Sequence, residues 1–367
     1  MMATLVERVM RTRNVRCLAA AVAALMLAGA PARAQAPNQA LQALIAAADK
    51  EGTLTLSWST STYDGAPGAA RFQAAMNKTF GSHVRINFLP GADMARIGNQ
   101  LATEYSAGQT AGVDIMLGAA PHMAALAKLD VLAAVDWPSY TPDRVNAGTT
   151  ELNGRIIRVA TGLTGVTYNS NLAPTKPATL DDFLAPQWKG KIASTPYAAG
   201  FDVLLAEDVW GRQRTVDYVQ KLSRQVAGLI RCGEGERIAT GEYLALVMDC
   251  TGQDALQWQA KGAPLAQMMP LDAAQQRYYY FAVPKNAAHP NAAKLFALFI
   301  LSTEGQRLSY DTWKIDLHTL PGSHMGKMVD DFGKLGVKFK EVTTEWYLRH
   351  PEIDAGKSEL IKIITTR

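Results

Sequence analysis

Much of what marks an enzyme is missing from this sequence. It has no Gly-x-Ser-x-Gly elbow, no phosphate-binding Gly-rich loop ending in Lys-Ser/Thr, and no Cys–His pairing of recognisable form. Its six histidines (His83, His122, His289, His318, His324, His350) show no metal-ligand spacing. Triads need no sequence order, so these absences do not exclude catalysis; they make it the less expected class. Internal repeats and low-complexity segments are also lacking. Cysteine is scarce, with three in 367 residues.

A surplus of charge is lacking too, once the first residues are set apart. Arg8, Arg11, Arg13 and Arg16 form a basic head, residues 17–30 are apolar and Ala-rich, and Ala32-Arg-Ala34 is a small-x-small cleavage site. This is the pattern of a secretory signal peptide cleaved after Ala34. The apolar run is shorter than the roughly 18 residues of a membrane span, and Cys17 sits at its front, away from the cleavage end. Residues 1–34 hold five Arg and one Glu, which accounts for the whole net charge of +4. The remainder is close to neutral, which gives no support for nucleic-acid binding.

What is present reads as alternating helices and strands. Residues 37–51 suit an amphipathic helix with Leu41, Leu44, Ile45 and Ala48 on one face. Residues 53–58 alternate with period two, as a strand. A helix follows with Phe72, Met76 and Phe80 four apart, then a strand at Val84, Ile86 and Phe88. The 93–106 helix carries Ile97, Leu101 and Tyr105, and 113–117 is a third strand. Strand–helix–strand repeats imply right-handed crossovers and parallel sheets. Further strands are expected at 155–160, 166–169, 191–193, 228–231, 243–248 and 278–283. Helices are expected at 201–210, 216–225, 236–240 and after Pro290.

Three stretches carry a resemblance. They are Gly165-Val-Thr-Tyr-Asn169, Asp182-Phe-Leu-x-Pro-x-Trp-Lys-Gly-Lys-Ile192, and His289-Pro-Asn-Ala-Ala-Lys-Leu-Phe with Ser302-Thr-Glu-Gly-Gln306. They resemble, in order over most of the chain, bacterial extracellular solute-binding proteins of ABC importers, in the ferric-ion and phosphonate group. The resemblance implies a two-lobed α/β fold of the type II periplasmic-binding kind, with two mainly parallel sheets joined by a two-stranded hinge. Lobe 1 would hold residues 35–160 and 282–367, and lobe 2 residues 161–281. Hinge motion would close the lobes on a ligand. It further implies a periplasmic monomer that hands a small solute to permease subunits in the inner membrane, without a cofactor.

Ligands of parallel sheets meet the carboxyl ends of strands. Those ends supply Ser59, Thr60, Ser61, Ala119, Thr161, Thr164, Ser194, Thr195, Asp249, Thr251 and Gly252, with Tyr63 and Tyr197 as aromatic candidates for the floor. Hydroxyls and free backbone N–H groups favour anions such as phosphonates, phosphate esters or carboxylates. Singly, each Ser or Thr is more often a helix cap, and capping is also the commoner role for Asp249. Ferric-binding relatives use a His, an acid and adjacent Tyr residues; the matching positions here are Ser61, Ala119 and Thr251–Gly252, which makes iron the second choice. Tyr278–Tyr280 reads as structural, on the returning hinge strand. An exported hydrolase using Asp249 is the remaining alternative.

Cys232 and Cys250 are expected to form a disulfide. Each follows a strand, and one helical crossover joins those strands, so they are expected to be parallel neighbours about 4.8 Å apart. Two separate buried thiols are the alternative.

Overall fold

Residues 38–91 and 93–366 are described by the computed structural model. The expected export signal lies outside the described residues. Helix α1 (Gln39–Glu51) buries Leu44, Ile45 and Ala48, as its spacing predicts. Strand β1 (Thr53–Trp58) leads to α2 (Gly65–Phe80), which buries Phe72 and Met76. Next come β2 (Arg85–Pro90) and α3 (Met94–Ser106), the latter started by Asp93, whose side chain accepts from the Arg96 amide at 2.9 Å. The third strand begins later than its apolar run: β3 is Met116–Ala119. The cause is Asp114, whose carboxylate accepts from the Thr55 amide at 2.7 Å, so a side chain replaces part of the backbone ladder. Helix α4 (Ala120–Lys128) follows without a loop.

After β4 (Thr150–Glu151), strand β5 (Ile156–Thr164) is fully buried and, past Gly165, continues as β6 (Val166–Asn169). The chain then builds a second sheet from β7 (Ile192–Ser194), β8 (Val226–Leu229), β9 (Ala245–Val247) and β10 (Leu265–Met268). Its order is β10-β6-β9-β7-β8, with β7 parallel to β8 and β9, and β6 antiparallel to β9 and β10. Around it lie α5 (Phe201–Leu204), α6 (Arg212–Ser223), α7 (Glu236–Ala239) and α8 (Gln253–Gln259). The expected 201–210 helix stops after one turn: Leu205 and Ala206 donate three residues back, and Gly211, at φ 75°, resets the chain. The segment between β6 and β7 forms two short turns, Asp181–Leu184 and Pro186–Trp188. Asp182 accepts from the Ala178 and Thr179 amides, and Phe183 and Trp188 pack at 4.9 Å.

Strand β11 (Gln275–Ala282) returns and pairs antiparallel with β5 along its length, from Gln275↔Thr164 to Phe281↔Ile157. Its other edge takes β3, antiparallel, at Tyr279↔Ala119. Strands β1 and β2 pair in parallel and join β3 through a single bridge, Leu56↔Ile115. Helices α9 (Pro290–Ile300), α10 (Thr303–Trp313) and α11 (His324–Lys334) follow, then β12 (Lys340–Val342), α12 (Thr344–Leu348) and α13 (Pro351–Thr365).

Two main cores result. One gathers Trp58, Tyr63, Phe72, Phe281 and Phe296; the other gathers Phe183, Trp188, Phe201 and Tyr218. A third, smaller cluster (Ala193, Ile230, Leu246, Ala255) lies with the second sheet. The sequence assigns all of 282–367 to the first lobe. The last helix departs from this: Leu360 and Ile364 of α13 are buried in the second core, and Lys357 reaches Asp202 of α5. Strand β12 also pairs in parallel with Gln275–Arg277, so a third segment runs beside the two crossing strands. Among the described residues no helix is long and apolar enough to cross a membrane.

Candidate functional site

Strands β5 and β11 cross side by side between the two cores, and the ends of β1, β3, β7 and β9 supply the loops around them. Most of the expected hydroxyls at these ends have partners within the chain. Ser194 donates to the Val247 carbonyl at 2.7 Å, and the Thr195 hydroxyl accepts from the Ala199 amide at 2.8 Å; both residues are buried. Thr164 donates to the Cys250 carbonyl at 2.6 Å. Thr161 points elsewhere, its hydroxyl 2.9 Å from His318 Nδ1. At the end of β1, Ser59 Oγ lies 3.1 Å from Ser61 Oγ and 2.9 Å from Thr62 Oγ1, while Thr60 and Ser61 are exposed.

Tyr63 does not floor a cleft. Its ring is wholly buried, 5.1 Å from Phe72 and 4.7 Å from Trp313. The backbone puts it there: Tyr63 and Asp64 both have positive φ, 51° and 60°, and turn the chain sharply into α2.

Asp249 is a brace. Its Oδ1 accepts from the Gly165 and Gly252 amides at 3.2 and 3.1 Å, and its Oδ2 from the Thr167 hydroxyl at 2.7 Å. Burial pushes its carboxyl up to about 6, against the hydrogen bonds from Thr167, Gly165 and Gly252. The loop it holds, 249–252, lies against β5: the Leu163 amide donates to the Thr251 carbonyl at 3.2 Å. Gly162 permits that approach, since a Cβ there would sit 2.4 Å from that of Thr251. Gly252, at φ +72°, makes the turn into α8.

Cys232 and Cys250 are bonded, with Cα atoms 6.0 Å apart. The route to that pairing differs from the expected one. Strands β8 and β9 are not neighbours, because β7 lies between them. The two cysteines meet because the loops after β8 and β9 bend over the end of β7, where the Ile230 amide donates to the Ser194 carbonyl. Tyr197 closes the same corner: its hydroxyl accepts from the Cys232 amide at 2.7 Å and lies 2.8 Å from the Cys232 sulfur.

Arg277, Lys357 and Asp202 were not picked out by sequence reasoning, which set His122 aside for want of metal-ligand spacing and read Tyr279 as structural. Arg277, on β11, donates to Asp202 at 2.9 Å and to Gln275 at 2.7 Å, and Lys357 lies 3.5 Å from the same Asp202 carboxylate. Burial pushes Asp202 up, but the Arg277 and Lys357 cations outweigh it and the carboxyl sits below its usual range. His122, in the first turn of α4, accepts the Ala119 amide at Nδ1 over 3.1 Å. Burial and the Lys357 cation lower its pKa to about 4, so it is neutral at physiological pH. Tyr279 pairs with Ala119 on the strand, and its hydroxyl lies 3.4 Å from Thr251 Oγ1. Strand alternation was the available signal, since Arg277 and Tyr279 share one parity and Tyr278 and Tyr280 the other.

Ala119, Ala120, Pro121, Val203, Arg277 and Tyr347 line a cavity of about 10 Å³, room for one water. A larger space, about 220 Å³, lies between α3 and the β2 edge, beside Ser57, Gly91 and Arg96, and touches none of the expected residues. Among the described residues no three His, Cys, Asp or Glu side chains converge as a metal site.

This arrangement, two sheets joined by paired crossing strands with loops turned toward the crossing, defines a two-lobed periplasmic-binding fold. Residues 69–321 match the family model for the bacterial extracellular solute-binding protein, and the chain belongs to that family. It is a solute-binding receptor of the kind that serves ABC importers. Solved structures agree on the fold. A substrate-binding protein of an ABC transporter from Agrobacterium tumefaciens is 16% identical, with TM-score 0.68 over 85% of this chain and 94% of that one. AfuA from Actinobacillus pleuropneumoniae, with fructose-6-phosphate bound, is 18% identical, with TM-score 0.65 over 84% and 98%. Iron-bound HitA from Pseudomonas aeruginosa is 16% identical, with TM-score 0.65 over 84% and 99%. No curated protein matches the chain.

Proposed function

We propose that this receptor captures a small anionic solute between its lobes: a phosphonate, a phosphate ester or a carboxylate. It works in the periplasm as a monomer and hands the solute to permease subunits without altering it. One observation carries the anion. Two cations, Arg277 and Lys357, share the single buried carboxylate of Asp202 beside the crossing strands. An acid entering there meets positive charge in a site that burial keeps poorly screened. The exposed Thr60 and Ser61, the half-buried Tyr197 and the start of α4 at Ala119 complete the proposed site. The likeness to the protein with bound sugar phosphate agrees with this class. Asp249 suits a structural role better than hydrolysis, because both its carboxylate oxygens are already engaged by donors of the chain.

The test is a thermal-shift screen on protein stripped of solute by unfolding and refolding. A true ligand at a hundredfold excess over its Kd stabilises by about 2.7 kcal/mol. Anions of the three classes should raise the melting temperature. A shift with polyamines or ferric ion alone would sink the anion reading, and release of a hydrolysed product would restore the enzyme class.

A further inference from the structure

Three tyrosines stand in a row on β11, and their hydroxyls are treated differently. Tyr278 lies 2.6 Å from a Glu341 oxygen and also accepts from Gln276 at 2.6 Å. Tyr280 donates to Glu151 at 2.8 Å and accepts from the Thr344 amide at 3.3 Å. Both rings are buried, 1% and 0% exposed, and both hydroxyls are bound into a network that ties β11 to β4, β12 and α12. Tyr279 alternates to the opposite side. Its hydroxyl has one long contact, 3.4 Å to Thr251 Oγ1, and that Oγ1 already donates to Gln253 at 2.9 Å. The ring keeps 9% exposure.

Its setting points the same way. The Trp313 ring, 4.5 Å off, fixes the Tyr279 ring, and Trp313 in turn rests on the buried Tyr63. Ala119, its strand partner, heads the start of α4. Arg277, the Asp254 carboxylate and Tyr197 are close enough to act on it electrostatically. Tyr279 thus stands where the crossing strand, the end of β3 and the disulfide-braced loop after β9 come together. A buried phenol with only a long, shared contact is short of a partner.

We infer that Tyr279 is a specificity-determining residue of the solute site, its hydroxyl donating to an oxygen of the bound solute between Arg277 and Thr251. This rests on the anion reading above and deepens it: the solute presents an acceptor oxygen to a neutral donor as well as to a cation. Burial keeps the phenol above its ordinary range, so it stays a donor at any pH the periplasm meets.

Tyr279→Phe is the test, since it deletes only the hydroxyl and keeps the ring against Trp313. Inorganic phosphate, methylphosphonate, glycerol phosphate and citrate would be titrated into wild type and variant by calorimetry. For whichever probe binds wild type, Tyr279→Phe should weaken binding about tenfold or more, as loss of one buried hydrogen bond to a charged group requires. Its solute-free melting temperature should stay close to wild type. Tyr278→Phe is the contrasting variant: it should melt earlier and bind as wild type does. Should Tyr279→Phe fold poorly, Thr251→Val probes the same corner and should also weaken the probe. Equal affinity of wild type and Tyr279→Phe for a bound anion overturns the inference and leaves the anion reading standing. If no anion binds wild type, the anion reading falls, and this inference with it.

Discussion

Asp249 engages both carboxylate oxygens with the chain itself, and that has a consequence for pH. Folding raises its pKa from 3.8 to about 6, so the native state holds the proton more tightly than the unfolded chain. Its contribution to stability is therefore fully present below about pH 4 and is lost as the pH rises through 6. The difference corresponds to about 3 kcal/mol. Carbon NMR titration of the Asp249 carboxyl should show a midpoint near 6; a midpoint below 4 would contradict the burial argument. On the other side of the hinge, Arg158 is 9% exposed, lies 2.9 Å from Glu151 and 3.2 Å from Glu341, and sits over the Tyr278 ring at 4.1 Å. Arg158→Leu leaves the buried Glu151 carboxylate without its cation, held only by the Tyr280 hydroxyl and the Glu345 amide, and should cost about 3–5 kcal/mol in urea unfolding. A loss under 1 kcal/mol would mean that Glu151 finds water. The structural role read for Tyr278–Tyr280 holds for Tyr278 and Tyr280, whose hydroxyls are bound within the chain, but their partners were not legible in the sequence. Glu341, which accepts from Tyr278, and Glu151, which accepts from Tyr280, lie more than sixty positions away, and only the fold brings them to one side.

Among the elements, helices with a clear apolar stripe were read closely from sequence. The Phe72–Met76 and Ile97–Leu101 spacings give α2 and α3 with the expected faces buried. Strand positions were legible and strand order was not. Placing β7 between β8 and β9 depends on non-local pairing that no local pattern records, so the Cys232–Cys250 bridge was expected for a reason the topology replaces. The bridge encloses 18 residues of separation and should stabilise by about 3 kcal/mol on the chain-entropy estimate. Thiol titration of denatured, unreduced protein should find no free cysteine at 232 or 250, and the Cys232→Ser, Cys250→Ser double variant should melt correspondingly lower. Two reactive thiols would refute the bond. Helix α13 misled for a related reason. Its Leu360 and Ile364 mark an apolar face, but not which core receives it. Leu360→Ala should cost about 2–5 kcal/mol, and hydrogen exchange should show the loss in α6 and the second sheet. Loss of protection confined to the first sheet would contradict the packing.

At the scale of the whole molecule, three quoted stretches carried the family and hence the architecture, because each marks a junction: the crossing at Gly165, the core turn at Phe183–Trp188, and the return helices after Pro290. The site was less legible. Of the strand-end hydroxyls, Ser194, Thr195 and Thr164 serve the backbone, while the residues proposed for the site, Arg277 and Tyr279, lie mid-strand, where a search of strand ends does not look. Two crossing strands join the lobes, with β12 paired beside one of them, and hinge closure over a solute is the motion such a junction allows. The central claim is that a small anion, bound between the lobes, draws them together. Small-angle X-ray scattering on stripped protein, titrated with the anion that gives the largest thermal shift, tests it most directly. The account predicts a radius of gyration that falls and levels off at one solute per chain. A radius unchanged at saturation would contradict it.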